Sequence, residues 1–301
     1  MSQQKRVDFI KMKSAMVVVT FFALWLAVFF DENIEAVLSY TLIFSFGMLH
    51  GSNDIKIINT ISKNKGLKFY RYAILLVYVA VIGLMFLLFY LFPDLALLVF
   101  IAISGFHFGE QHWKKKTKVN SFWNPFFYTT YGLCILFMIF YIKSEQVILI
   151  INDISSFELR RSFLYHGFLI TTLGSIVFIG VYTYLGWLQF HAVEELFLLI
   201  VFYVVFYTAS LLWGFCVYFV IWHSIPSLMD QTWFLFGKVD KASLWRYVRY
   251  SWVYWLLSIF GLLMLYFLLR GNNQFFISIL LYFLAAVTFP HVLVMSFIDE
   301  D

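Results

Sequence analysis

Long apolar runs separated by short polar breaks fill the chain. They cover residues 15–30, 36–50, 72–92, 95–109, 122–142 and 163–187. A further run, 195–223, is too long for one membrane span and short for two, and Thr208-Ala209-Ser210 is its natural break, giving two short helices. Runs at 250–269 and 274–297 close the pattern, joined by Arg270-Gly271-Asn272-Asn273. None alternates polar and apolar positions as a barrel strand does, and within lipid a helix satisfies its own backbone groups. The pattern predicts an all-α, polytopic membrane bundle of about eight to ten spans. It forms one domain over residues 1–301, with 1–14 as a polar N-terminal segment.

Charge orients the bundle. Lys56, Lys63, Lys65, Lys68 and Arg71 follow the second run, and Lys114, Lys115, Lys116 and Lys118 the fourth. The breaks after the first and third carry Asp31, Glu32 and Glu35, or only Pro93-Asp94. The positive-inside rule then puts both termini in the cytoplasm. The stretch 143–161 reads as a mixed loop, and 224–249 as a basic loop with Lys238, Lys241, Arg246 and Arg249.

Composition sharpens the class. Of 301 residues, 62% are hydrophobic and 13% charged, against about 25% charged in soluble domains. The net charge of +4 reflects orientation in a bilayer, with no nucleic-acid partner. Cys134 and Cys216 lie inside apolar runs, so no disulfide framework is expected. The first run has no small-residue cleavage site after it and reads as a retained helix. The chain is expected in the cell inner (plasma) membrane as a multi-pass protein.

The chemistry lies in histidines. His50 stands between Gly47 and Gly51, His107 between Gly105 and Gly109, His223 before Ser224, and His291 after Pro290. Ionisable groups inside a membrane need partners, and in the topology above these four share one cytoplasmic depth on four helices. Convergence on one metal explains that placement. Imidazoles suit iron, zinc, copper or nickel, and no cysteine is placed to join them. His112 falls at the same level just outside the fourth run; His191 and His166 do not belong to the group. Asp54 and Glu110 can each share a helix face with the preceding histidine, offsetting charge and fixing a tautomer; both also fit as solvated acids at helix ends.

These residues carry a resemblance. Gly47-Met48-Leu49-His50-Gly51-Ser52-Asn53-Asp54, His107-Phe108-Gly109, His223-Ser224 and Pro290-His291-Val292-Leu293 follow one another across most of the chain. In this order they resemble the motifs of the bacteriorhodopsin-related (Brp/Blh) family of integral membrane β-carotene 15,15′-dioxygenases. The resemblance implies an Fe(2+) enzyme that splits the central double bond of β-carotene with O2 into two retinals, supplying a microbial rhodopsin. His50, His107 and His223 are then the catalytic histidines and iron ligands. Two positions depart from the family: Ser227 replaces the second histidine of His-Ser-x-x-His, and His112 replaces an acid. The fourth ligand is open between His291, which is favoured, His112 and water. A redox-active metal suits the chemistry, because ground-state O2 reacts poorly with a closed-shell polyene. A substrate dissolved in lipid suits entry between helices.

Other functions lack their marks. The chain has no adjacent histidine pair, as a di-iron desaturase requires, and no His-Glu-x-x-His of a zinc hydrolase. A non-catalytic retinal or carotenoid carrier, or a rhodopsin-assembly protein, is the alternative function; covalent retinal binding would need a mid-span lysine, and every lysine lies in a predicted loop.

Overall fold

The computed structural model of the chain describes residues 3–64, 66, 71–155, 158–189, 191–269 and 276–298. The expected loop residues Lys65 and Lys68, the turn 270–273 and the start of the last run at Gln274 lie outside the described residues, as do the side chains of Lys5, Arg6, Lys11 and Arg71. Among the described residues every regular element is helical, and eight helices are long and apolar enough to cross a membrane. That is the lower end of the expected range.

Helix α1 (Gln3–Phe29) is followed by α2 (Glu32–Leu42), whose first turn is capped by Asp31 accepting from the Asn33 and Ile34 amides. The second run does not continue as one span to His50. It passes into a π-helical turn, Ile43–Gly47, and ends in a turn at residues 50–53. The following basic stretch is helical too, as α3 (Asp54–Asn64), with Ile55, Ile57 and Ile61 buried. Next come α4 (Arg71–Leu91), α5 (Pro93–Trp113) and α6 (Asn124–Ile142).

The mixed loop expected at 143–161 instead contains α7 (Ser144–Ile154), which buries Val147, Ile151 and Ile154. Spacings of four and three residues put these on one helix face. After α8 (Arg161–Tyr184), the run from 195 is divided where its sequence suggested. Helix α9 (Ala192–Thr208) stops at 208 and α10 (Leu211–Cys216) begins at 211. Glu35, expected in a polar break, is buried here, and its Oε2 accepts from the Ser210 amide at 2.8 Å. The backbone donor freed by the helix break thus has a partner.

His223 does not end this helix. Helix α10 runs through a π-helical segment, Val217–Ser224, into α11 (Ile225–Phe236), making one long central rod. The sequence suggests a helix end there because Ser227, Asp230 and Gln231 interrupt the apolar pattern, yet Ser227 and Gln231 are buried. The chain closes with α12 (Lys241–Leu269) and α13 (Phe276–Ile298).

In the most apolar 18-residue stretch of the central rod 78% of the residues are buried, against 6% in that of α12, so α12 is a peripheral, lipid-facing wall. Helix α1 is tied to the rod by Trp213 Nε1 donating to the Ala23 carbonyl and Trp222 Nε1 to Thr20 Oγ1. The tightest helix pair is α5 with α6. A Cβ on Gly109 would lie 1.7 Å from the Tyr128 carbonyl oxygen, and one on Gly132 1.8 Å from that of Gly105. Only glycine permits this approach, and it fixes the part of α5 that bears His107.

Candidate metal centre

Four elements deliver four buried imidazoles to one place: the turn after the first π segment (His50), α5 (His107), the second π segment (His223) and α13 (His291). The rings form a closed quadrilateral. Neighbouring centroids are 5.2 Å apart for His50–His223, 4.8 Å for His223–His107, 5.4 Å for His107–His291 and 4.9 Å for His291–His50. Successive planes meet at 75° to 90°. His50, His223 and His291 each offer a nitrogen within 4.8 Å of the other two. Both π segments pack on each other beside this centre. π-Helical insertions often sit at functional sites, because the extra residue re-aims a side chain.

The tautomers are set from outside the ring of histidines. His50 Nδ1 is hydrogen-bonded to the Gly47 carbonyl, which puts its proton there and leaves Nε2 unprotonated. His291 Nδ1 lies 3.0 Å from both Asp54 carboxylate oxygens, so its Nε2 is the free lone pair. Asp54 in turn accepts from the Tyr78 hydroxyl at 2.8 Å. Asp54 therefore supports His291; the chain turns at 50–53, so it does not share a helix face with His50. Glu110 pairs with Lys114 at 3.1 Å and supports none of these histidines.

His107 Nε2, His223 Nδ1 and His291 Nε2 are buried with no hydrogen-bond partner among the described residues. Buried polar atoms are rarely left so, and a bound ion is one standard explanation. Three converging buried histidines can hold a metal ion, and a neutral, all-nitrogen donor set fits a divalent first-row metal.

His112 stands apart. Its Nε2 lies 2.7 Å from Glu195 Oε2 and 2.8 Å from Lys116 Nζ, and its ring stacks on Tyr131 at 4.7 Å. Glu195 also receives Lys116 at 2.9 Å and Lys13 at 3.1 Å. Burial pulls the Lys116 ammonium below the ordinary lysine value. Ser227, where the resemblance leads one to expect histidine, accepts from Gln231 Nε2 at 3.1 Å. The Tyr247 hydroxyl lies within donating distance of Gln231 Oε1, at 2.7 Å, and of the His50 carbonyl, at 2.9 Å. A polar chain thus replaces an imidazole beside the centre. The sequence gives no mark of Tyr78, a hydroxyl within the run 72–92, or of Gln231 and Tyr247, which fall in the stretch read as the basic loop 224–249.

Phe219 and Phe108 complete the wall. Phe219 stacks on His223 with ring centroids 5.7 Å apart, and the Phe108 ring lies 4.8 Å from that of His223. All four histidines line a cavity of about 680 Å³ between α4, α12 and α13. Val79 on α4 and Leu257 and Met264 on α12 line it and are also exposed, so it opens sideways between those two helices.

A family model described as Beta-carotene 15,15'-dioxygenase matches residues 41–299. Comparison with curated proteins gives no match, and neither does comparison with solved structures.

Proposed function

The chain belongs to the β-carotene 15,15′-dioxygenase family, and from that premise we propose that it cleaves β-carotene at its central double bond with O2, using Fe(2+) held by His50, His107, His223 and His291. The reaction balances without another reductant: the central C=C bond breaks, each carbon takes one oxygen atom, and two retinals leave. The observation that carries this is a ring of buried imidazoles with unpartnered nitrogens lining an apolar cavity open to the side.

Iron, when bound, supplies the redox activation of O2 that a closed-shell polyene cannot provide. The chain supplies the rest. Asp54 and the Gly47 carbonyl hold the Nδ1 protons of His291 and His50, keeping the opposite nitrogens free as donors. The Asp54 carboxylate also offsets cationic charge in a low dielectric. Phe108 and Phe219 keep water from one side of the rings and offer an apolar face to the polyene. The cavity admits substrate from the lipid between α4 and α12. In this proposal both termini are cytoplasmic, the protein sits in the plasma membrane, and its retinal feeds a microbial rhodopsin.

Expression in a β-carotene-producing bacterium tests the activity: the orange colour fades and retinal accumulates. Chelation of the purified protein stops cleavage, and Fe(2+) rather than Zn(2+) restores it. Persistent β-carotene beside well-folded, iron-loaded protein overturns the proposal.

A further inference from the structure

A second, smaller chamber touches the histidine centre from the other side. Its volume is about 120 Å³, and it lies among α5, α6, α7, α10 and α13. Phe108, Phe219, Leu284 and Thr288 line both it and the large cavity, so these four side chains are a shared wall. Phe108 and Phe219 are the rings packed on His223. The chamber therefore ends one side chain away from the centre. Its polar groups are the Ser104 and Thr288 hydroxyls; every other lining residue is apolar, and none of the lining residues is exposed.

Shape and size choose the occupant. The chamber follows α5 from Phe108 to Leu97 and α13 from Thr288 to Ile277, about 16 Å at the helical rise. The large cavity follows α12 from Tyr254 to Leu269, about 22 Å on the same measure. Both run away from the histidines in the same direction, on two faces of α13 that meet at Leu284 and Thr288. A conjugated all-trans polyene is a straight rod and cannot lie in both. The small chamber has neither the volume for half a carotenoid nor an opening to lipid, so the polyene, which must set its central bond beside the histidines, uses the large cavity and its opening between α4 and α12. An apolar cavity of roughly 150 Å³ walled by Leu, Ile and Phe stays dry and takes up xenon. Dioxygen is likewise small, uncharged and apolar.

We propose that this chamber is a dioxygen site: it holds O2 beside the histidine centre and delivers it past Phe108 and Phe219. The inference rests on the dioxygenase function proposed above for its use, but the chamber's affinity for a gas is a property of its walls alone.

Two measurements separate the two claims. Xenon under pressure, located crystallographically or by 129Xe NMR, is expected in the wild-type chamber and absent in Ile151→Phe and Leu97→Phe, which fill it from two different helices. Absence of xenon from the wild-type chamber overturns the gas site whether or not the protein cleaves carotenoid. In the active protein, both variants are expected to raise the KM for O2 several-fold, with the carotenoid KM and the rate at saturating O2 unchanged. Unchanged O2 dependence in a folded variant overturns delivery. A rise in carotenoid KM alone also overturns it, and assigns the chamber to the polyene. Failure of every form to cleave carotenoid, with xenon still bound, rejects the reaction and leaves the gas site standing.

Discussion

His291 carries its proton on Nδ1 because both oxygens of Asp54 face that nitrogen at 3.0 Å, with Tyr78 holding the carboxylate from behind. Asn at position 54 keeps the shape but loses the charge and one acceptor. Asp54→Asn is therefore expected to fold and to bind iron about 10- to 100-fold more weakly, as read by metal titration of the purified protein. His291→Ala is expected to lose the metal, whereas His112→Ala keeps it. The latter instead takes one donor from buried Glu195, at a cost of about 1–3 kcal/mol in stability. Equal iron loss in both variants would put His112 in the centre after all. At this scale much was legible. An imidazole in an apolar run has few uses, so the four histidines stood out. Asp54 was picked out as well, but with the wrong histidine, because its partner lies 237 positions away and depends on how α3 folds back. The chain from Ser227 through Gln231 to Tyr247 was hidden for the same reason.

Helices α5 and α6 touch backbone to backbone, and this contact sets where His107 points. A methyl group at 109 would lie 1.7 Å from the Tyr128 carbonyl oxygen, which cannot yield as a flexible side chain does. Gly109→Ala is expected to destabilise the protein by about 2 kcal/mol or more and to lower iron content by displacing His107. Gly83→Ala on α4 is the control, since nothing lies within 4 Å of its added Cβ; it should be neutral or stabilising by up to about 1 kcal/mol. Thermal unfolding in detergent reads both, and equal melting temperatures would refute the role given to the α5–α6 contact. Apolar runs located most helices because lipid-exposed helices must be apolar over their length. The break at 208–210 was visible as three small or polar residues in a row. Helix α7 was missed although Val147, Ile151 and Ile154 carry the helical period, because its polar residues Glu145, Gln146, Asn152 and Asp153 suggested a loop. The π segments gave no signal, since a shift of hydrogen-bond register changes no residue.

Across the whole molecule, burial is graded from the central rod outward to α12, and the large cavity lies under that least buried wall. Hydropathy counts spans but does not say which two helices stand apart, so this opening was legible only as a general expectation of entry from lipid. Helices α4 and α12 both pack on α13, and their exposed lining residues mark the mouth. Gly261 on α12 lies on this path, where an added Cβ meets only the Phe283 ring, at 3.8 Å. That is ordinary contact, so there is space for a larger side chain without shifting backbone. Gly261→Leu puts an isobutyl group into the passage while leaving the histidines, Asp54 and the small chamber untouched. The expected result is unchanged iron content and unchanged KM for O2, with a carotenoid KM raised several-fold. Because the obstruction is steric, a slimmer polyene lacking one terminal ring should be impaired less than β-carotene. If both substrates are cleaved by Gly261→Leu as by wild type, the carotenoid enters by another route, and the cleft between α4 and α12 is a groove filled by lipid alone.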